Sequence, residues 1–279
     1  MFKVRVISAA VGIALLVAVI LSGPVVFGIA MSCVAMIGLY EFYKAVHFAG
    51  FRPVRIVGYI FCLPLFLISF RVGYSWLRNL NTFPGLIEFL AFGLFIVLVL
   101  LFSMIVFLHK RYNISDIALT LFGPVYVAFL FSFLILTRNF ENGMLFVILI
   151  FIGAWGTDTF AYFTGMFAGK RKVLPAISPK KTVEGTIGGV IGTALSTVVY
   201  GIFAINKVYN IPLYHFVLIG ALNGVVSQIG DWGASAIKRY AKIKDYGGIM
   251  PGHGGVLDRF DSILFTAPIV YFYYIFVLV

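Results

Sequence analysis

The sequence predicts an all-α polytopic membrane protein with about nine transmembrane helices. Of its 279 residues, 62% are hydrophobic and only 11% are charged, and the mean hydropathy is +1.05. A soluble domain is roughly half apolar and about one quarter charged, so a globular core does not account for this excess of apolar residues. Apolar runs approaching the roughly 20 residues that cross a bilayer recur along the chain. Lipid is therefore the solvent for most of this chain.

The apolar runs define nine candidate spans. The second and third runs are short, and Pro24 and Pro64, which break or kink helices, lie beside or within them. No polar interval between the runs is long enough to form a separate soluble core. The candidate spans cover residues 6–21, 25–39, 56–70, 86–108, 117–137, 143–167, 185–205, 212–232 and 260–279.

The basic residues predict that the N-terminus lies in the cytoplasm and the C-terminus outside. With nine spans in this orientation, the loops at 168–184 and 233–259 are cytoplasmic and rich in Lys and Arg. This distribution also accounts for the formal charge of +11 without a nucleic-acid partner. Four basic residues then lie on the outer side: Arg71, Arg78, Arg138 and Lys207.

The character of the spans changes near residue 143. Residues 1–142 form Leu-, Ile-, Phe- and Val-rich spans with few charges, which indicates anchoring helices and a candidate oligomer interface. Glu41 and Glu88 lie near span ends in this region, and we interpret them as carboxylates solvated at the membrane interface. Residues 143–279 form polar, glycine-rich spans. The second region is therefore the candidate catalytic half.

Asp158 lies within an apolar span and is followed by Tyr162 and the basic run 170–172. A carboxylate at the centre of a membrane helix costs on the order of 2.5–3.5 kcal/mol on insertion scales. Such a residue faces a cavity, a partner cation or a metal ion. The alternative is a buried ion pair that joins two helices.

A second polar cluster opens the seventh span. Ser178 precedes a proline and suits a helix start, although Thr182 is an alternative cap. Either start places Lys180 and Lys181 beside the positive end of a helix, where anions such as phosphates bind. A basic cytoplasmic loop would explain the lysines but not Glu184 at the membrane boundary. The glycines that follow permit close helix approach: Gly185, Gly188, Gly189 and Gly192.

The longest polar interval, residues 227–262, contains three acidic residues near span ends. Asp258 and Asp261 are three apart, so they share one face if this segment is helical. With Asp231 folding back, they form an oxygen ligand set that suits Mg²⁺. His253 has no Cys or His at ligand spacing, which argues against zinc. A polar loop residue and a contact to phosphate are both open interpretations for His253.

Basic residues of the same interval follow the eighth span. If that helix continues, Lys238, Arg239 and Lys242 form a stripe that ends at residues 247–248, where two glycines stop the helix. Carboxylates for a divalent cation, clustered basic residues and glycine loops meet the needs of a reaction on polyphosphates. These features predict phosphoryl or nucleotidyl transfer at the membrane surface.

The same residues resemble a known family, the phosphatidate cytidylyltransferases (CDP-diacylglycerol synthases). The resemblance covers about residues 150–265, while the first half offers only a compatible hydropathy pattern. Its main part is the pattern Ser235-x-x-Lys238-Arg239-x4-Lys244-Asp245-x-Gly247 followed by Pro251-Gly252-His253-Gly254-Gly255-Val256-Leu257-Asp258-Arg259-Phe260-Asp261. The elements Asp158-x-x-Ala161-Tyr162-x-x-Gly165 and Ser178-Pro179-Lys180-Lys181-Thr182-x-Glu184-Gly185 are also similar to that family's.

The resemblance implies a Mg²⁺-dependent enzyme of the cell membrane that converts CTP and phosphatidate to CDP-diacylglycerol and pyrophosphate. Its active site would face the cytoplasm, and a second cation such as K⁺ and a homodimer are both compatible with it. The implied metal ligands are Asp231 and Asp258, with Asp261 and Asp158 beside them. The implied groups at the phosphates are Lys238, Arg239, Lys180, Lys181, Lys244, Arg259, His253, Gly254 and Ser178, and the supporting residues are Glu184, Tyr162 and Asp245.

Two alternatives differ in chemistry. A CTP-dependent polyprenol or phytol kinase would transfer the γ-phosphate of CTP to an alcohol and release CDP. An anion transporter or channel would line its pathway with residues such as Asp158 and Asp231. A transport pathway should place ionisable residues through the whole membrane depth, whereas here they cluster toward one side.

Overall fold

The computed structural model describes residues 2–70 and 86–278, with side chains from residue 6 and, after the gap, from residue 92. Arg71 and Arg78, which the predicted topology places on the outer side, lie outside the described residues. The described chain is almost entirely helical. Its helices are α1 (Phe2–Leu21), α2 (Pro24–Phe48), α3 (Arg55–Ile60), α4 (Leu63–Phe70), α5 (Leu86–Phe107), α6 (Ile114–Arg138), α7 (Gly143–Ala168), α8 (Val183–Phe203), α9 (Leu213–Tyr240) and α10 (Leu257–Tyr273).

Six of the described helices are long and apolar enough to cross a membrane: α2, α6, α7, α8, α9 and α10. Shorter apolar segments cover Val6–Leu21, Arg55–Phe70 and Phe92–Phe107. The prediction of a mostly helical multi-pass membrane protein is therefore confirmed. The count of nine spans and the orientation of the termini stay predictions.

The two prolines act differently on their helices. Pro24 is the first residue of α2, where a helix does not need a backbone N–H, so α2 continues unbroken to Phe48. The third predicted span is divided, because α3 ends at Ile60 and α4 begins at Leu63, directly before Pro64.

A β-hairpin interrupts the otherwise helical fold. Strands β1 (Lys172–Leu174) and β2 (Ser178–Thr182) pair antiparallel in the loop that precedes α8. The purely α-helical prediction was therefore wrong at this loop. Thr182 caps α8, because its hydroxyl accepts a hydrogen bond from the Gly185 amide at 3.1 Å. The alternative helix start at Ser178 is wrong, since that residue begins a strand.

Helices α7, α8 and α9 pack at close range through glycines. A Cβ at Gly224 of α9 would lie 2.8 Å from the Cα of Val190 on α8. A Cβ at Gly189 of α8 would lie 3.1 Å from the carbonyl oxygen of Thr157 on α7. The prediction of close helix approach at the glycine-rich run is confirmed.

Three π-helical turns occur in the described residues: two lie within α6 and α7, and a third, Tyr274–Leu278, continues from α10. In α6 this turn covers Val125–Phe129, and in α7 it covers Ile152–Gly156. A π turn holds one residue more than an α turn and is frequent at functional sites. The turn in α7 ends directly before Thr157 and Asp158, so it sets the direction in which Asp158 leaves the helix.

The N-terminal half packs against the start of α10. A Cβ at Gly38 of α2 would lie 3.4 Å from Val127 and 3.7 Å from Leu257. The rings of Phe131 on α6 and Phe260 on α10 lie 5.2 Å apart. Helices α2 and α6 therefore support the segment that carries Asp258 and Asp261.

Candidate active site

Helix α9 presents Asp231, Ser235 and Lys238 at helical spacing, because it continues to Tyr240 rather than ending at residue 232. Lys242 lies beyond the helix and has a positive φ of 55°. The predicted basic stripe therefore includes Lys238 and Arg239 but not Lys242. The helix also ends before the two glycines that were predicted to stop it.

Asp258 joins three segments of the chain. One carboxylate oxygen accepts a hydrogen bond from Lys238 Nζ of α9 at 2.7 Å. The other accepts from the backbone amides of Tyr246 at 2.8 Å and Gly255 at 2.9 Å. The side chain is only 3% exposed. Both oxygens are engaged, so Asp258 holds the loop between α9 and α10 in place and pairs Lys238.

Tyr246 is buried and anchors that loop to α9. Its hydroxyl donates a hydrogen bond to the Ala234 carbonyl at 3.3 Å, and Lys238 Nζ lies 5.3 Å from its ring centroid. Burial raises the pKa of the Tyr246 hydroxyl above its ordinary value, so the hydroxyl stays protonated as a donor. The aromatic face and Asp258 together fix the position of the Lys238 ammonium.

The β-hairpin brings a second lysine to α9. Lys181 pairs with Asp231, and Ser235 lies 3.5 Å from the other oxygen of Asp231. The side chains of Lys181 and Asp231 are 26% and 24% exposed, so solvent and small solutes reach this pair. Glu184 braces the hairpin because its carboxylate accepts the backbone amides of Lys170 at 2.9 Å and Arg171 at 3.2 Å.

Asp158 and Asp261 lie within electrostatic range of Asp231 and of each other. Asp261 is 8% exposed and accepts the Ser262 amide at 2.7 Å, whereas the Asp158 side chain is exposed. Neither carboxylate belongs to an ion pair in residues 2–70 and 86–278. The alternative that Asp158 joins two helices through an ion pair therefore has no support in this part of the chain.

The chemistry of these carboxylates fits a hard divalent cation. Asp158, Asp231 and Asp261 offer oxygen donors, and three basic side chains lie within electrostatic range of them: Lys181, Lys238 and Arg259. Within the described residues, no three acidic, His or Cys side chains converge on one point. Lys181 holds Asp231 in this arrangement, so a cation would compete with Lys181 for that carboxylate.

The remaining predicted residues surround this centre without an ion pair to it in the described part of the chain. Arg239 is exposed and donates to the Ile243 carbonyl at 3.3 Å, and Arg259 donates to the His253 carbonyl at 3.0 Å. Gly254 has a φ of 84°, which favours glycine. The exposed side chains are those of Lys180, Lys244, Asp245 and Tyr162, and Ser178 is partly exposed on β2.

The interpretation of Glu41 as a solvated interfacial carboxylate was wrong. Its side chain is 1% exposed, and its oxygens accept the backbone amides of Val256 at 3.1 Å and Leu257 at 2.8 Å. One local signal could have indicated this contact: α10 begins at Leu257 after Val256, which has no capping side chain. The side chain of Glu88 lies outside those described.

Helix α1 makes a second contact that the sequence did not indicate. The Ser8 hydroxyl donates to the Pro251 carbonyl at 2.9 Å and lies 2.8 Å from His253 Nδ1. When Ser8 donates to Pro251, its oxygen accepts from the imidazole N–H. The N-terminal helix therefore orients the His253 ring.

These contacts define a class of site: ammonium groups paired with carboxylates beside a glycine loop, at one end of membrane helices. Comparison with known proteins agrees with this class. The model of the cytidylyltransferase family matches residues 3–277. The chain therefore belongs to the cytidylyltransferase family. The match extends well beyond the region from about 150 to 265 in which the resemblance was found.

Individual relatives cover almost the whole chain. A protein of Bacillus subtilis (strain 168) named phosphatidate cytidylyltransferase is 31% identical over 271 residues, which is 97% of this chain and 96% of the relative. A protein of the same name from Staphylococcus saprophyticus is 33% identical over 269 residues, covering 96% and 97%. One from Synechocystis is 33% identical over 303 residues, covering 98% and 97%.

Proposed function

We propose that this chain is a multi-pass membrane enzyme that makes CDP-diacylglycerol and pyrophosphate from CTP and phosphatidate. The observation that carries the proposal is the meeting of Lys181–Asp231 and Lys238–Asp258 on one helix, α9, beside the glycine loop. Family membership and relatives named phosphatidate cytidylyltransferase support the same reaction. K⁺ as a second cation and a homodimer stay predictions.

The active site faces the cytoplasm in this proposal. Residues 168–184 and 233–259, which include the hairpin and the loop between α9 and α10, carry ten of the eleven basic residues of the second half, as cytoplasmic loops do. The acyl tails of phosphatidate remain in the bilayer, while its headgroup must meet a water-soluble nucleotide. A site at the cytoplasmic ends of membrane helices satisfies both requirements.

The reaction we propose is a direct in-line attack by the lipid phosphate on the α-phosphorus of CTP. Phosphatidate is ionised near neutral pH and supplies the nucleophilic oxygen, so no side chain has to form a covalent bond. When bound, Mg²⁺ held by Asp231, Asp261 and Asp158 would polarise the α-phosphorus and neutralise the leaving pyrophosphate. Asp258, which the resemblance implies as a metal ligand with Asp231, is assigned to Lys238 instead, because both of its oxygens already accept hydrogen bonds. The side chains contribute positioning and charge.

Lys238 on α9 and Lys181 on the hairpin have different roles in this proposal. Lys238 is fixed by Asp258 and the Tyr246 ring, so it offers its remaining N–H donors in one direction. Lys181 is partly exposed, so it can release the Asp231 carboxylate and bind a negatively charged phosphate oxygen in its place. The exposed Lys180 on the same strand can contact a second phosphate.

One assay tests this function against its alternatives. The purified full-length chain is incubated with CTP, Mg²⁺ and phosphatidate, and pyrophosphate and CDP are measured separately. We expect pyrophosphate in equal amount to CDP-diacylglycerol. Release of CDP with a polyprenol or phytol as acceptor would instead identify a kinase. Anion flux across vesicles without any nucleotide product would identify a transporter or channel.

The stereochemistry at phosphorus tests the proposed mechanism. With CTP made chiral at a thio-substituted α-phosphorus, we expect inversion of configuration in the CDP-diacylglycerol analogue, because one in-line displacement inverts the centre. The configuration can be read by ³¹P NMR after enzymatic degradation of the product. Retention would require two displacements and a covalent enzyme intermediate, and would exclude direct attack.

A further inference from the structure

Glu41 on α2 caps a helix that lies more than 200 positions away in the sequence. Its two oxygens accept the backbone amides of Val256 and Leu257, at the N-terminus of α10. Those amides have no partner inside α10, because the first turn of a helix lacks acceptors for its N–H groups. The negative carboxylate also meets the positive end of the helix dipole.

The loop before α10 is folded around the same carboxylate. A Cβ at Gly247 would lie 2.8 Å from Cδ of Glu41, and one at Gly255 would lie 2.6 Å from the same atom. Neither position has room for a side chain while Glu41 is in place. Two glycines of the family-like segment are therefore explained by a residue of the N-terminal half.

Glu41 and Asp258 act on consecutive amides of one turn. Asp258 accepts the Gly255 amide at 2.9 Å, and Glu41 accepts the next two. The turn carries Asp258 itself, which pairs Lys238. A shift of this turn would move the acceptor away from Lys238 and would also move Asp261, which lies one helical turn further along α10.

A carboxylate is an unfavourable choice for a buried position without a specific role. Glu41 is 1% exposed and belongs to neither ion pair in the part of the chain that the structure describes. An apolar side chain would pack there without the free-energy cost of desolvating a charge. The free-energy gain that offsets this cost therefore comes from the hydrogen bonds that Glu41 accepts from the backbone amides of Val256 and Leu257.

We propose, resting on the proposed function, that Glu41 is a positioning residue for the reaction. It holds the first turn of α10 so that Asp258 fixes Lys238 and Asp261 stays beside Asp231. Glu41 does not touch the substrates in this proposal and acts through α10. The N-terminal half thus contributes to the site as well as anchoring it.

The test compares Glu41→Gln with Tyr43→Phe in the purified full-length chain. Glutamine keeps the shape of the side chain but turns one acceptor into a donor that faces a backbone amide. We expect kcat to fall by about 10- to 100-fold with a much smaller change in KM for CTP, since displaced catalytic groups lose rate of this order. Tyr43→Phe removes a buried 2.7 Å hydrogen bond from the same helix to the Thr120 carbonyl, away from the loop. This control should lower thermal stability and leave kcat unchanged.

A double variant separates positioning from general stability. If Glu41 acts through the first turn of α10, the loss of activity in Glu41→Gln combined with Asp258→Asn should be clearly smaller than the product of the two single losses, although the shift of Asp261 can add to the loss in Asp258→Asn. Losses that multiply would show independent effects and overturn the proposal. Equal loss of kcat in Tyr43→Phe would also overturn it.

A readout without turnover keeps this test independent of the proposed function. Trypsin can cleave after Lys242 and Lys244 in the loop when the loop opens. We expect cleavage there to be about tenfold faster in Glu41→Gln and unchanged in Tyr43→Phe. An inactive wild-type chain would contradict the proposed function alone, whereas unchanged cleavage in Glu41→Gln would contradict the role of Glu41.

Discussion

Replacing Asp258 with Asn is expected to lower CTP-dependent pyrophosphate release by about a hundredfold, since a misplaced catalytic group loses rate of this order. It should also destabilise the fold, since a buried charge left without its partner costs on the order of 3–5 kcal/mol. The Lys238 ammonium, whose side chain is 11% exposed, would lose its 2.7 Å partner. The amide group of Asn would also place N–H donors against Lys238 or against the backbone amides of Tyr246 and Gly255. The loop and the phosphate-binding lysine would then shift together.

The measurement is pyrophosphate release by purified variants at saturating CTP and Mg²⁺, with thermal unfolding followed in parallel. Glu141→Gln is the matched control, because it makes the same change of carboxylate to amide at an exposed position between α6 and α7. It should retain wild-type turnover. Wild-type turnover in Asp258→Asn at ordinary Mg²⁺ would remove Asp258 from the site.

Removal of divalent cations is expected to abolish turnover, and Mg²⁺ should restore it. In Asp231→Asn the Mg²⁺ concentration for half-maximal rate should rise by about tenfold or more, because each tenfold loss of affinity corresponds to roughly 1.4 kcal/mol. Asp231 interacts electrostatically with both Asp158 and Asp261, so its loss weakens the field that attracts a cation. The Asp231→Asn change also removes the carboxylate that pairs with Lys181.

A titration of rate against Mg²⁺ concentration, for wild type and Asp231→Asn, measures this effect. Lys181→Met provides the comparison, since it removes the competing ammonium and should not raise the Mg²⁺ requirement. Full activity in the presence of a chelator would exclude a divalent cation. An unchanged Mg²⁺ requirement in Asp231→Asn would exclude Asp231 as a ligand.

Local sequence signals identified much of the candidate site. Asp231 and Lys238 lie on one helix and Asp258 begins the next, so spacing alone placed them at adjoining helix ends. Thr182 was one of the two caps that the sequence offered for α8, and the other, Ser178, was wrong. These features depend on residues within one or two helical turns of each other, which is the range over which sequence patterns are informative.

Contacts between distant segments were outside that range. Nothing near Glu41 in the sequence indicates that its partners are the amides of Val256 and Leu257, and nothing near Ser8 indicates His253. The hairpin was also missed, since its second strand contains a proline and two lysines and reads as a basic loop. The resemblance was found only in the second half, whereas the family match covers residues 3–277.

The π turn at Ile152–Gly156 constrains the length of the chain as well as its composition. Each residue of an α-helix advances the chain by about 100° around the axis, since one turn holds about 3.6 residues. Deleting any single residue between Ile152 and Gly156 would restore a regular helix and rotate Asp158 by that angle, out of the group that contains Asp231 and Asp261. Substitutions in this turn keep the count of residues, although at Gly153 a Cβ would lie only 2.9 Å from the side chain of Asn223. The direction of Asp158 therefore depends on the number of residues in this turn, and we expect an insertion or deletion there to displace Asp158 from Asp231 and Asp261.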